Sequence, residues 1–296
     1  MACTTSYDLL SALPDSCITV DFSDFESLAK EAESIYENLE ANHGDGNQYL
    51  VVTRLSNYAL KKFKDDERPL LGVAYRLEYN VNTAIIKVPH DIHEDASKRL
   101  HTMIVLQLAT MGISPHDYQW LGATRHDGRG TSKAKEPDNC FHPPSRRHNA
   151  TIKPWPTLVV EVGNSESMAQ LRRDALWWVS NSDRDVQMVL IIKVKEKSQT
   201  IEMERWQLAP PNTPNPLSQA IINGFRANPP AMPPLVQQPA AGQQAYAIRE
   251  ITITPTGATG QLVIPFHALY DRPPVGPESD VVLTQADLIE FTDILL

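Results

Sequence analysis

Apolar and polar positions alternate along this chain in a few distinguishable rhythms, and their order predicts a mixed α/β protein. From Phe25 to Leu39, the residues Phe25, Leu28, Ala29, Ala32, Ile35 and Leu39 recur at three- and four-residue spacing with acids between them, the mark of an amphipathic helix. Gln48 to Arg54 reads as a short strand, and GVAYRLEYNVNTAIIKV, Gly72 to Val88, as one or two strands broken near Asn80 to Asn82. The opening 70 residues otherwise read as helical and irregular. HEDASKRLHTMIVLQLATMG, His93 to Gly112, is a predicted helix stopped by its glycine. YQWLGAT (Tyr118 to Thr124) and EPDNCFH (Glu136 to His142) follow as extended pieces, and Thr157 to Val162 as an apolar strand.

Ser165 to Ser180 predicts a second helix, with Ser165 as N-cap and Met168, Leu171, Ala175, Trp178 and Val179 on its apolar face. Val186 to Val194 is nearly continuous in apolar residues, as in strands covered on both faces. Thr200 to Leu208, TIEMERWQL, alternates like a half-exposed edge strand. Trp155, Trp177, Trp178 and Trp206 are expected as core or rim aromatics. The central order is thus helix, three strands, helix, strand, strand.

Composition then divides the chain. Residues 1–90 form a helical and strand extension, and 91–208 the core. Residues 209–244, rich in Pro, Ala and Gln, lack the apolar content to pack and predict a flexible insertion. Residues 245–296 predict a hairpin (REITITPTG with GQLVIPFHALY) and a helix capped by Thr284, its stripe made of Leu288, Phe291, Ile294 and Leu295.

The 296 residues, 42% of them hydrophobic, suffice for a full core, and no run reaches membrane-spanning length. The opening MACTTSYDLLSALPDS lacks the basic start and long apolar run of a signal peptide. Cys3, Cys17 and Cys140 show no zinc-ligand spacing and read as free thiols. Together these predict a cytoplasmic or otherwise intracellular protein, in which the sequon Asn149-Ala150-Thr151 is silent. A net charge of −9 and a pI near 5.5 argue against non-specific duplex binding by charge alone. They leave room for a local basic site: Arg125 to His148 concentrates Arg125, Arg129, Lys133, Lys135, Arg146 and Arg147. A solvated loop is the plain alternative.

One residue resists the pattern. Glu161 ends the apolar run Leu158, Val159, Val160, and burying its charge is costly without a partner. Asp138 stands 23 residues earlier on the preceding extended piece. Two carboxylates on neighbouring strands suit a hard cation such as Mg²⁺ or Mn²⁺. Alternatively, Glu161 pairs with Arg172 or Arg173, and Asp138 is a turn residue before the proline pair.

Element order and residues together resemble the PD-(D/E)XK nuclease-like superfamily, through the Pro-Asp of KEPDNCF and the Glu of VVEVG. More narrowly, WPTLVVEVGNSES followed by QLRRDALWW is similar to a fungal group within it, distantly related to Uma2-type proteins read as endonucleases. The resemblance covers roughly residues 90–208 and implies a restriction-endonuclease-like αβββαβ core with a mixed sheet. It implies Asp138 and Glu161 as metal ligands and catalytic acids. The lysine that the family carries two residues after the acid is replaced by Gly163, leaving Lys135, Arg172 and Arg173 as substitutes. Glu94 stands where relatives place a further acid; His93 and His101 nearby read as surface or packing histidines.

Two rival motifs fail. Gly163-Asn-Ser165-Glu-Ser167 lacks the last glycine of a nucleophile elbow, and His267 precedes Asp271 instead of following it. Gly128-Arg-Gly130-Thr-Ser-Lys133 lacks the spacing of a phosphate-binding loop.

The resemblance implies a metal-dependent nuclease on nucleic acid phosphodiesters, gripping the backbone through Arg125, Arg129, Lys133, Arg146, Arg147 and Arg173. A fold does not determine a reaction. The alternative is a repurposed scaffold of secondary metabolism, such as a tRNA-dependent arginine-containing cyclodipeptide synthase. Its acidic pocket would take a cationic aminoacyl group and its basic loop tRNA. A non-catalytic partner-binding protein is the third reading.

Overall fold

The computed structural model describes residues 10, 13–14, 16–65, 69–70, 72–128, 133–147, 153–230 and 243–295. Cys3, Arg129, the sequon at Asn149 and the Pro-rich stretch 231–242 lie outside the described residues.

The first part of the chain builds a sheet. It runs β1 (Ile18–Asp21), α1 (Phe25–Ala41), β2 (Tyr49–Thr53), α2 (Asn57–Lys64), β3 (Arg76–Tyr79) and β4 (Ala84–Lys87). Asp24 starts α1 by accepting the Ser27 amide, and Leu28, Ala29, Ala32, Ile35 and Leu39 bury against Leu50, Val52, Leu77 and Ile86. This corrects the irregular reading of the opening 70 residues. β1 is only four residues long; its Ile18, Thr19 and Val20 favour an extended chain, and it pairs in parallel with β2, which supplies the hydrogen bonds that make it a strand.

The central part holds α3 (Asp91–Thr110), β5 (Gln119–Trp120), β6 (His126–Asp127), β7 (Ala134–Lys135), β8 (Asn139–His142), β9 (Leu158–Gly163), α4 (Met168–Asn181), β10 (Met188–Lys195) and β11 (Thr200–Leu208). The last part adds α5 (Gln219–Ala227), β12 (Ala245–Thr254), β13 (Gly257–Ala258), β14 (Leu262–Ile264), α6 (Phe266–Tyr270), β15 (Val281–Leu283) and α7 (Gln285–Glu290).

The large sheet has the order β13-β12-β11-β10-β9-β8-β5. β5, β8 and β9 are antiparallel neighbours, and β10 lies parallel to β9. Parallel strands need a covered crossover, and α4 provides it. The succession α3-β5-β8-β9-α4-β10 has the αβββαβ order expected of a restriction-endonuclease-like core, in a mixed sheet. The hairpin β6-β7 leaves that succession and extends the N-terminal sheet, whose order is β1-β2-β4-β3-β7-β6.

Alternation along β9 explains the layering. Val160 and Val162 point to Ala96, Leu100 and Ile104 of α3, while Val159 points to Leu171, Ala175 and Trp178 of α4. Four local expectations change. The N-cap of α4 is Ser167, which accepts the Gln170 amide; Ser165 sits in the turn before it. β11 is interior, because β12 pairs along its length. β14 pairs with β15 and not with β12, so the expected hairpin is split between two sheets. Within the Pro-rich segment, α5 forms and lays Ile222 and Phe225 on Tyr246. Thr284 caps α7 in a reciprocal capping box with Asp287. No helix among the described residues is long and apolar enough to cross a membrane.

Candidate functional site

The register of β8 on β9 pairs Asn139 with Val160, so Asp138, one residue earlier, faces Glu161. Both acids are buried. Asp138 Oδ2 accepts the backbone N–H of Val162 at 2.8 Å, which fastens the start of β8 to the end of β9. Glu161 lies on the α4 side, where its Oε1 accepts from Trp178 Nε1 at 2.5 Å. Neither candidate arginine reaches it. Arg172 is bound to Glu204, and Arg173 to Glu78 at 3.2 Å and Asp174 at 3.1 Å. Burial raises the Glu161 carboxyl to about 8; Lys135 pulls it down, while Asp138 and Asp174 push it up. The puzzle of a carboxylate on an apolar strand thus has a plain answer: burial favours its protonated form, and an indole N–H donates to it.

Asp138 is held the other way. Burial raises its carboxyl, but the Lys87 and Arg76 charges and the Val162 N–H outweigh that and lower it to about 2. Lys87, at the end of β4, is the residue that reading by motif missed. Its Nζ donates to Asp138 Oδ2 at 3.0 Å and to the Val162 carbonyl oxygen at 2.9 Å. It also lies 2.7 Å from Glu166 Oε1, an ion contact without hydrogen-bond alignment. Burial alone would lower the ammonium, yet Asp138, Glu166 and Glu161 together raise it above its ordinary value. The IIKV spacing gave a weak signal, since a lysine inside an apolar strand needs a buried acid.

Behind this pair the ionic interior continues. Lys135 binds Glu78 at 3.0 Å and Asp174 at 3.1 Å, around a cavity of about 20 Å³ that Glu161, Gln170 and Tyr49 also line. Lys135 is therefore near Glu161, as the substitute-lysine reading requires, but its ammonium is held by other acids. Arg172 points away to β11.

In front of Asp138 opens a cleft of about 300 Å³. Arg76, His93, Glu94, Trp120 and Asn139 line it, and His101 lies against Trp120 with ring centroids 4.7 Å apart. Arg76 bonds Glu94 at 3.0 Å, and Lys98 approaches the same carboxylate at 3.2 Å. Three buried polar atoms at the floor make no aligned hydrogen bond among the described residues: His93 Nδ1, and Asp138 Oδ1 and Arg76 Nε, which face each other in an ion contact of 3.5 Å. Such atoms are costly unless a ligand or solvent satisfies them. His93 is kept neutral, chiefly by burial and then by the Lys87 charge, with its basicity lowered to about 3.

The basic candidates scatter. Arg146 is half-buried in a paired contact with Asp271 and also donates to the carbonyls of Trp155, Pro156 and Asp185. Arg125 donates to the Phe63 carbonyl, Lys133 is half-buried, and Arg147, exposed, donates to the His116 carbonyl. Arg173 is interior.

A divalent ion between Asp138 and Glu161 does not fit this arrangement. The oxygens that converge there, from Asp138, Val162 and Glu166, already surround the Lys87 ammonium. One oxygen of Glu161 is already committed to the Trp178 indole, whereas a hard cation needs charged oxygens turned toward it.

No family model matches the chain, and no curated protein matches it. Among solved structures it is similar to a candidate nuclease belonging to DUF820 from Anabaena variabilis. Identity there is 12%, with 73% of this chain and 90% of that chain covered, at a TM-score of 0.39.

Proposed function

We propose that the chain is a nuclease-like enzyme that works at the cleft over Asp138 without a divalent cation, on a substrate carried by nucleic acid. The observation that supports this is the seat of Lys87, whose ammonium takes the three oxygens a metal would need. Phosphodiester hydrolysis by an acid pair depends on a metal to activate water and to stabilise the phosphate charge. Acyl transfer does not.

The reaction favoured is therefore the tRNA-dependent synthesis of an arginine-containing cyclodipeptide. Two acyl transfers are needed: the amine of one aminoacyl ester attacks the other, forming a C–N bond as an ester C–O bond breaks, and the free amine of the dipeptidyl ester then attacks its own ester and closes the ring. Each time the tRNA oxygen leaves with the proton that the amine loses. In this reading Asp138 Oδ1 and Glu94, at the floor and wall of the cleft, accept from the cationic aminoacyl side chain. Lys87 and Arg76 keep Asp138 ionised and aimed into the cleft. Glu161 positions the end of β9 through Trp178. Of the basic residues expected to meet the tRNA backbone, Arg125, Lys133 and Arg147 are partly or fully exposed, while Arg146 and Arg173 hold the scaffold.

The test incubates purified protein with plasmid, single-stranded DNA and total tRNA, with Mn²⁺ or with EDTA, beside a Glu161→Gln variant. Small-molecule extracts of the expression host are compared in parallel. No cleavage and a new arginine-containing product support the synthase. Metal-dependent cleavage lost in Glu161→Gln establishes the nuclease and overturns the metal-free reading.

A further inference from the structure

Away from the cleft, on the α4 side of β8, three metal-binding side chains meet inside the protein. Cys140 and His142 are two residues apart on β8 and therefore project from the same face. His126 comes from β6, in the other sheet, and its ring stacks on that of His142 at 5.8 Å between centroids. All three are buried. Cys140 Sγ is 3.7 Å from His142 Nε2 and 4.0 Å from His126 Nε2, and one ligand atom from each residue lies within 4.8 Å of the other two.

Those separations have a chemical meaning. With metal–sulfur and metal–nitrogen bonds of about 2.3 and 2.0–2.1 Å, sulfur and nitrogen ligands stand about 3.6 Å apart in a tetrahedral site, and about 3.8 Å in a trigonal one. The triad is therefore already near ligand geometry. The outer contact supports it too. His142 Nδ1 lies 3.1 Å from the Arg146 carbonyl oxygen, an acceptor that requires the proton on Nδ1 and leaves the Nε2 lone pair facing Cys140. Arg146, in turn, is fixed by Asp271. Trp155 and Trp178 pack against His126 and enclose the site.

We propose that His126, Cys140 and His142 bind a thiophilic d¹⁰ cation, Zn²⁺ or Cu⁺, which ties the two sheets together beside the candidate active site. One thiolate and two imidazoles are soft and borderline donors, which select these ions over Mg²⁺, Mn²⁺ or Ca²⁺. Binding forms a metal–sulfur bond and releases the Cys140 thiol proton to solvent, with no change of oxidation state. The ion links His126 of β6, beyond the hairpin turn, to the strand that Asp138 opens. The cysteine spacing concealed this site, because its other two ligands are histidines.

The experiment uses the full chain purified without chelator from zinc- and from copper-supplemented cells. Metal content is measured per chain. The protein is then stripped and titrated with Zn²⁺, with Cu⁺ under anaerobic conditions and with Co²⁺ as a spectroscopic substitute. Near-stoichiometric zinc or copper, a rise in Tm on reloading and a thiolate-to-cobalt charge-transfer band are expected, and the supplement that loads names the ion. Cys140→Ser, close in size, should fold by circular dichroism and lose both the band and the Tm rise. If Cys140→Ser does not fold, His126→Gln is measured in its place. Wild-type protein with sub-stoichiometric metal, no Tm response to either ion and no thiolate band overturns the proposal, as does a Tm rise that survives undiminished in the variant.

Discussion

Lys87 Nζ and Asp138 Oδ2 lie 3.0 Å apart, and the same ammonium reaches the carbonyl of Val162 on the strand that carries Glu161. A side chain from the N-terminal sheet thus supplies the positive charge at the junction of β8 and β9. Replacing it by Met leaves Asp138 and Glu166 as buried acids without their cation. The expected cost is about 3–5 kcal/mol, read from urea unfolding. The variant should also acquire what the parent lacks, a Tm rise with Mn²⁺, since the vacated position is ringed by oxygens. A Mn²⁺-dependent Tm rise of similar size in wild type would show that the ammonium does not stand in the place of the ion.

Glu161 predicts a definite pH dependence. Its carboxyl is raised to about 8 in the folded chain by burial, against an ordinary value of 4.5. The folded state therefore holds a proton that the unfolded state releases, and the contribution is fully present below about pH 4.5 and lost as pH rises through about 8. The slope approaches about 1.4 kcal/mol per pH unit for this one proton. Glu161→Gln mimics the neutral acid. Unfolding free energies of parent and variant, measured from pH 5 to pH 9, should diverge with rising pH in favour of the variant and run parallel above about pH 8. Curves parallel throughout would mean that Glu161 is ionised in the fold.

Two adjacent arginines separate scaffold from rim. Arg146 is half-buried against Asp271 and three carbonyls, so Arg146→Ala should cost about 1–3 kcal/mol through the polar groups it leaves unpaired. Arg147 is exposed, and Arg147→Ala should change stability by no more than about 0.5 kcal/mol. If Arg147 contacts tRNA, its loss should also reduce the slope of log affinity against log salt by about 0.7–0.9. Filter binding across a salt series checks this, and an unchanged slope removes Arg147 from the interface.

Legibility followed burial. α3, β9, α4 and β10 could be read because continuous or periodic apolar positions line two faces of one sheet. Asp138 and Glu161 stood out because charge in such a strand demands a partner. The partners were hidden, since Lys87 is 51 residues from Asp138 and belongs to another sheet. Trp178 also escaped notice: its helical spacing identifies it as core, and nothing in that spacing tells where its indole N–H points. β1 and β6 were illegible for a different reason. β6 is a two-residue polar piece and β1 a four-residue one, each too short to stand out before a neighbour pairs with it, and β14 found its partner in β15 across an intervening helix. Within the basic stretch 125–147, sequence proximity does not separate Arg146, turned onto Asp271, from Arg147, which is exposed.

The missing motif lysine gives the last prediction. Gly163 occupies the position two residues after Glu161, and a Cβ there would sit 2.9 Å from Glu166 Cβ and 3.1 Å from Leu171 Cδ1. Its neighbours are a turn residue whose carboxylate is committed to Lys87 and a core leucine of α4, so neither yields easily. Gly163→Ala should therefore destabilise by about 1–3 kcal/mol, as overpacking does in a filled core. Gly163→Lys should be worse, adding a long cation within reach of the oxygens that Lys87 already holds. Restoring the lysine should consequently fail to produce Mn²⁺-dependent cleavage, even in the fraction that folds. A Gly163→Lys protein that folds as stably as the parent and cuts DNA with Mn²⁺ would show that only the lysine separated this chain from a nuclease. Destabilisation without cleavage would instead indicate that the packing around Glu166 and Lys87 has closed that route.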